Sequence, residues 1–312
     1  MINKTSGILI VDKPQQLSSA QFISRIKKIS GIDKIGHAGT LDPMATGVMI
    51  CAVNQATRLF QFFPNKSKKY VAVLKLGIET DTQDATGTVV ATRPTDTVSE
   101  EAVRAACRQF EGEMDQIPPV YSALKHNGTP LYTYARKGTP VTKPSRKIFI
   151  SYIHIRDIRL PEIRFEVECS SGTYIRTLCA DIGNALGCGG HLSALQRIEC
   201  GGYAIHDAIS LEDITSHRSL SALSSKLISM SDALPEMPAA YAGAGLMEKI
   251  RYGKLLSVID VPINAQTGTT PSAEPGGFPF VKLIDQDNRL LAVVRRDETI
   301  NRYNYCCVFC NP

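Results

Sequence analysis

Gly36-His37-Ala38-Gly39-Thr40-Leu41-Asp42-Pro43-Met44-Ala45-Thr46-Gly47 is the stretch on which the reading of this chain turns. Pro43 pushes Asp42 out of the α region. Glycines at 36, 39 and 47 permit left-handed backbone and close approach to another group, so the run is expected to be a non-helical loop that holds one carboxylate toward a bulky, flat ligand. Taken alone, an acid in such a turn is more often an Asx-turn residue closing its own loop. The sequence on either side decides between the two.

Val48 to Val53, immediately after the loop, is apolar and of strand length. Before it, Gly7 to Val11 reads as a short strand, and Ser18 or Ser19 caps a helix whose Phe22, Ile23, Ile26 and Ile29 share one face until Gly31 ends it. Tyr70 to Leu76 is another strand, and Thr80 to Gly87 a polar turn. Asp81 and Asp84 in that turn have no further ligands at calcium-loop spacing, so they read as hydrogen-bonded turn acids, which disfavours a metal-dependent hydrolase. Thr97 with Glu100 fits a capping box for a helix reaching Phe110. Ile163, Phe165, Val167 and Cys169 alternate with charged residues as a half-buried strand does. The turn Ser170 to Thr173 then leads into a helix that buries Ile175, Leu178, Cys179, Ile182, Ala185 and Leu186, which puts Tyr174 and Arg176 at a strand-to-helix junction. Ser219 to Leu234 reads as helical, and Pro235 and Pro238 mark a boundary. Beyond them lie Val258 to Val261, a polar segment from Asn264 to Gly277, and strands at Phe280 to Ile284 and Leu290 to Val294, the makings of a small β-rich unit.

Composition narrows the function class. The chain has 312 residues, 43% of them hydrophobic, and a net charge of +5. No apolar run approaches the ~20 residues of a membrane helix and no signal-like segment opens the chain, so a cytoplasmic protein without membrane contact is expected. Nine scattered cysteines read as reduced thiols. The pair Cys307 and Cys310 lacks the second pair or histidines that a zinc site needs, so no metal is expected. No dinucleotide fingerprint or phosphate loop appears, and no cofactor is expected. The charge is unevenly spread. Gln116 to Arg156 contains no acid but holds Lys125, Arg136, Lys137, Lys143, Arg146, Lys147 and Arg156, with Tyr121, Tyr132 and Tyr134 interleaved. Lys13 to Ile32 is a second acid-free basic run. Cations mixed with aromatic rings suit phosphates and unstacked bases.

Several of these segments, in order over most of residues 7 to 202, together resemble the TruB family of tRNA pseudouridine synthases. The Asp42 loop is similar to the family's catalytic motif, and Lys68-Lys69-Tyr70-Val71-Ala72-Val73-Leu74-Lys75-Leu76-Gly77 to its tyrosine-bearing strand. Pro118 to Lys125 with Tyr132 to Gly138 resembles the RNA-gripping thumb. Gly172-Thr173-Tyr174-Ile175-Arg176 and Gly187 to Leu195 resemble segments lining the uridine pocket. The sequence departs from the family at Gln16, where a glycine is usual, at Gly190, usually alanine, and at Gln196, usually arginine. Past Pro235 the resemblance thins.

The resemblance implies an α+β fold with a mixed, mainly antiparallel central sheet and flanking helices. It divides the chain into a catalytic domain over residues 1–236, with a thumb insertion at about 116–147, and a small C-terminal β domain over 240–312, of the PUA-like RNA-binding kind. It also implies isomerisation of uridine 55 in the tRNA T-loop. Asp42 would be the catalytic carboxylate, with Tyr70, Tyr174, Arg176, Leu195 and His37 around the substrate and Lys13, Lys125, Arg136 and Lys137 on the RNA backbone. Arg176 is expected to hold Asp42 by two hydrogen bonds from its planar fork. The expected partner is the T-arm stem-loop and the expected state a monomer. The competing reading is a non-catalytic RNA-binding or tRNA-folding factor that uses the same basic thumb.

Overall fold

A computed structural model describes residues 5–63, 67–216, 223–261, 279–297 and 299–309. Its centre is a nine-stranded sheet. Seven strands run in the order Gly7–Lys13, Thr46–Val53, Gly190–Cys200, Lys68–Leu76, Glu162–Cys169, Arg146–Arg159 and Gly112–Gln116. Neighbours are antiparallel except Gly190–Cys200 against Thr46–Val53, which pair in parallel through Gln196–Thr46 and Arg197–Gly47. The fold is therefore α+β around a mixed, mainly antiparallel sheet. Ile35–Ala38 pairs with the far half of Thr46–Val53, so residues 36–38 of the Asp42 run are strand and the loop proper begins at Gly39.

The residue pattern explains the layers. Along Thr46–Val53 both faces are covered: Val48, Ile50 and Ala52 join one core cluster, and Met49, Cys51 and Val53 another that includes Phe22 and Ile26 of the helix Ser19–Ser30. That is why the strand is apolar throughout instead of alternating. Lys68–Leu76 does alternate, placing Tyr70, Ala72, Leu74 and Leu76 in the core shared with the helices Glu100–Arg108 and Ile175–Ala185. The insertion between Gln116 and Arg146 carries a two-stranded ribbon, Lys125–His126 with Thr129–Pro130, and a short helix, Leu131–Arg136.

A second, five-stranded sheet has the order Ala239–Tyr241, Phe280–Ile284, Leu290–Asp297, Arg302–Val308 and Leu256–Ser257. It does not stand apart. Ile284, Leu290, Val293, Cys307 and Phe309 pack in one cluster with Ile8, Ile10 and Ile50 of the central sheet. Buried Lys282 reinforces the junction by donating to the carbonyls of Ser231 and Leu234, at 2.9 Å each. No helix among the described residues is long and apolar enough to cross a membrane.

Several expected elements differ in detail. Ile29 is 37% exposed, whereas Ser30 is buried with its hydroxyl on the Ile26 carbonyl. Ser99, not Thr97, caps Glu100–Arg108, because its side chain reaches the Ala102 amide. Ala185 is exposed at the end of its helix. From 223 to 234 the chain is mostly turns, closed by contacts such as Ser229 Oγ to Asp232, and Val258–Asp260 is a 3-10 turn capped from Ser257. The helix Ala244–Arg251 and the strand Arg302–Val308 were not expected. Ser219 to Ala222, the segment from Asn264 to Gly277, and Cys310 lie outside the described residues.

Candidate active site

The Asp42 loop joins two paired strands and is fastened from below by the segment after Gly7–Lys13. Gln16 N–H donates to the Pro43 carbonyl at 2.8 Å, and the Ser19 hydroxyl bonds both the amide and the carbonyl of Leu41 at 2.9 Å. Gln16 adopts φ +70°, the left-handed conformation that a glycine takes at little cost. Here a glutamine holds the conformation that a glycine favours. Lys13 supports the same turn: its side chain is fully buried and Nζ donates to the carbonyls of Pro14 (2.8 Å) and Leu17 (2.6 Å). This corrects its expected place on the RNA backbone, since a buried ammonium already bonded to carbonyls cannot meet a phosphate at the surface.

Asp42 Oδ2 lies 3.0 Å from Nε of Arg176, whose side chain is 4% exposed while that of Asp42 keeps 36% of its surface open. The expected two-pronged grip on Asp42 is not formed. Instead the guanidinium is divided: one terminal nitrogen donates to the Thr82 carbonyl (3.1 Å) and lies 3.5 Å from Asp84 Oδ2, and the other donates to the Tyr121 carbonyl (2.9 Å). Asp84 is the hydrogen-bonded turn acid expected, accepting from Thr82 Oγ1, Thr86 N and Thr86 Oγ1. It is also a second carboxylate on the same cation. Burial raises the Asp42 carboxyl above its ordinary value, Arg176 opposes that, Asp84 adds to it, and Lys13 opposes it.

Two cavities meet at Asp42. The smaller, about 310 Å³, is lined by Tyr70, Tyr174, Leu195 and Arg176, the expected substrate-facing set. Tyr70 is 6% exposed, and burial pushes its phenol up to about 12 against the opposing pull of Arg197, so it stays protonated near neutrality. Tyr174 precedes the helix Ile175–Ala185 and is clamped by Gln116, which accepts from its N–H and donates to its carbonyl. The Arg146 guanidinium lies 4.7 Å above the Tyr174 ring. The larger cavity, about 600 Å³, is lined by His37, Asp84, Tyr121, Tyr132 and Arg136 as well as Asp42. Burial first, then Arg197, lowers the His37 imidazole, which keeps it neutral at pH 7. Arg136 packs over Tyr132 at 5.3 Å. Lys125 and Lys137 are exposed on the same insertion but line neither cavity.

Four residues at this site lay outside the expected set: Asp84, Lys68, Arg146 and Arg197. Arg197 is completely buried and donates to the carbonyls of Val48 (2.7 Å) and Gly39 (3.2 Å), fixing the loop from its other side. Nothing local in Leu195-Gln196-Arg197 signals that. Asp84 was visible only as a turn acid, Lys68 only as the opening residue of the tyrosine-bearing strand, and Arg146 only as a member of a basic run. Among the described residues no group of three or more His, Cys, Asp or Glu side chains is placed to hold a metal ion.

Residues 27–175 match the model of the TruB family pseudouridylate synthase N-terminal domain, and residues 176–234 that of the tRNA pseudouridylate synthase B C-terminal domain. The tRNA pseudouridine synthase B of Syntrophotalea carbinolica is 43% identical over 251 residues, covering 80% of this chain and 81% of that protein. The protein of that name from Syntrophobacter fumaroxidans is 40% identical over 289 residues, 92% of each. Among solved structures, a chain of a Cbf5-Nop10-Gar1 complex superposes with a TM-score of 0.72 at 25% identity, covering 98% of this chain and 85% of its own. By sequence and by fold, this chain belongs to the TruB family of pseudouridylate synthases.

Proposed function

We propose that this protein converts uridine 55 in the T-loop of tRNA to pseudouridine, with Asp42 as the catalytic carboxylate. The observation that carries the reading is the 3.0 Å pair between Asp42 and Arg176 at the meeting point of a base-sized cavity and a wider, aromatic- and arginine-lined one. In the reaction the bond between C1′ and N1 of the uracil breaks and one between C1′ and C5 forms. C5 gives up a proton and N1 gains one. The product is an isomer of the substrate, so no electrons or groups need be supplied.

An ionised Asp42 serves either course of the reaction, attack on the nucleoside or removal of a sugar proton as the base departs. Arg176 holds the anion in place. Tyr70 and Tyr174 offer ring faces for the extruded base, with Leu195 as an apolar wall. Extrusion costs a few kcal/mol of unstacking, and one aromatic stack returns roughly 1–3 kcal/mol. The balance comes from the phosphate contacts of Lys125, Arg136 and Lys137 on the thumb over residues 116–147, with His37 and Tyr132 in the wider cavity receiving neighbouring loop bases. Residues 1–236 form the catalytic unit and 240–312 a smaller β unit that extends the RNA-binding surface. The protein acts as a monomer on the T-arm stem-loop, in the cytoplasm.

The test is incubation of a uridine-containing T-arm stem-loop with purified protein, followed by mapping of the modified nucleotide. Pseudouridine at position 55 alone is the expected result. Tight binding with no pseudouridine would favour an RNA-folding factor, and conversion elsewhere would reject the T-loop assignment.

A further inference from the structure

Lys68 opens the strand that carries Tyr70, and its side chain lines the same cavity as Asp42. A Cβ built on Gly39 would lie 3.4 Å from Lys68 Nζ and 3.6 Å from a terminal nitrogen of Arg197, so two cations crowd one glycine. Arg146 stands on the same cavity wall, stacked on Tyr174 and donating to the Gly172 carbonyl. None of the ion pairs among the described residues includes Lys68, Arg146 or Arg197. Two further donors in this wall, Arg146 Nε and the Ser122 hydroxyl, are buried without a protein partner, and Ser122 is only 4% exposed.

Positive groups gathered in a half-dry wall with no carboxylate paired to them repel one another. Burial lowers the Lys68 ammonium from its usual value, and Arg197 and Arg146 push it the same way, while the Cys200 and Cys169 thiols oppose them. An anion entering the cavity would relieve this, and Asp42 is already held by Arg176 on the other side. A uridine seated with its base against Tyr70 and its C1′ at Asp42 brings its own phosphates within one sugar's reach of that wall.

We propose that Lys68 and Arg146 form a phosphate seat for the phosphodiester adjoining the everted uridine, so that the pocket selects a nucleotide held in a strand over a free nucleoside. The proposal rests on the reading of Asp42 given above. It makes Lys68 a binding residue, felt in KM.

The experiment places a neutral methylphosphonate at each phosphate flanking the target uridine, one at a time, and assays the stem-loops with the wild-type protein and with Lys68→Gln. In the wild type one position should raise KM roughly 10-fold or more with kcat changed less than about 3-fold. Lys68→Gln should raise KM similarly on unmodified RNA, and the methylphosphonate at that position should then add less than about 2-fold. Full additivity, no sensitive position, or a fall in kcat at constant KM would overturn the seat. Inorganic phosphate is the second arm: inhibition by it with no methylphosphonate effect would mark a site for the free anion and likewise overturn the proposal. Should Lys68→Gln fail to fold, the wild-type series decides by itself. Conversion of unmodified RNA without phosphate sensitivity sinks the seat and leaves Asp42 standing. Absence of all conversion sinks the Asp42 reading, and the Kd values of the same oligonucleotides still report on the seat.

Discussion

Asp42 and Asp84 share one buried guanidinium, and with burial that arrangement shapes the titration of Asp42. Asp42 sits above its ordinary 3.8 because burial and Asp84 outweigh Arg176 and Lys13. Activity that needs the anion should therefore show an acid limb in kcat/KM above pH 3.8. Asp84→Asn removes the anion that raises Asp42, so the limb should move to lower pH; a move to higher pH would contradict the pairing. Arg176 serves Asp42, Asp84 and the carbonyls of Thr82 and Tyr121 from one planar group. Arg176→Lys keeps the charge but cannot reach all four, so kcat/KM should fall roughly 10- to 150-fold, the equivalent of about 1.5–3 kcal/mol. Near-normal kinetics would count against that role. At Gln16 the left-handed backbone is strained for a residue with a Cβ. Gln16→Gly should raise stability by about 0.5–1 kcal/mol after the larger unfolded-state entropy of glycine is allowed for, readable as a higher Tm. A lower Tm would show that the Gln16 side chain matters more than its φ.

Strands and loops explain how those residues meet. Gly47 has φ +108°, and a Cβ there would lie 2.2 Å from the Arg197 carbonyl, where Thr46–Val53 meets Gly190–Cys200. Gly47→Ala should cost more than about 3 kcal/mol and loosen the Asp42 loop, visible as an earlier denaturation midpoint; a near-neutral change would mean the junction is softer than it looks. Much at this scale was legible beforehand. The helix Ser19–Ser30 and the strand Glu162–Cys169 followed from local pattern, and the Asp42 loop from its glycines and proline. What stayed hidden were the meetings across sequence. Arg197 reaches Val48 and Gly39 from about 150 residues away because a strand pairs in parallel there, and no period along the chain announces such a pairing. Lys13 misled for the opposite reason. A lysine in an acid-free run looks solvated, and only the fold shows it turned inward onto carbonyls.

Across the whole molecule the two sheets share a hydrophobic cluster instead of meeting through a polar seam. Leu290 in the second sheet packs in the cluster that contains Ile8 and Ile50 of the first. Leu290→Ala should therefore destabilise the chain by about 2–5 kcal/mol while wild type and variant each unfold in one transition. Two separated transitions, with only one moved by the substitution, would show that the units fold independently. Tyr121, Tyr132 and Arg136 of the insertion over 116–147 line the wider cavity at Asp42, a placement that under the proposed function would let a stem-loop be gripped by its backbone while a single base is drawn inside. The most direct measurement is Asp42→Asn tested in parallel for T-arm binding and for pseudouridine formation. The account predicts a Kd within a few-fold of wild type and no detectable pseudouridine, whereas sustained turnover by the variant would contradict it.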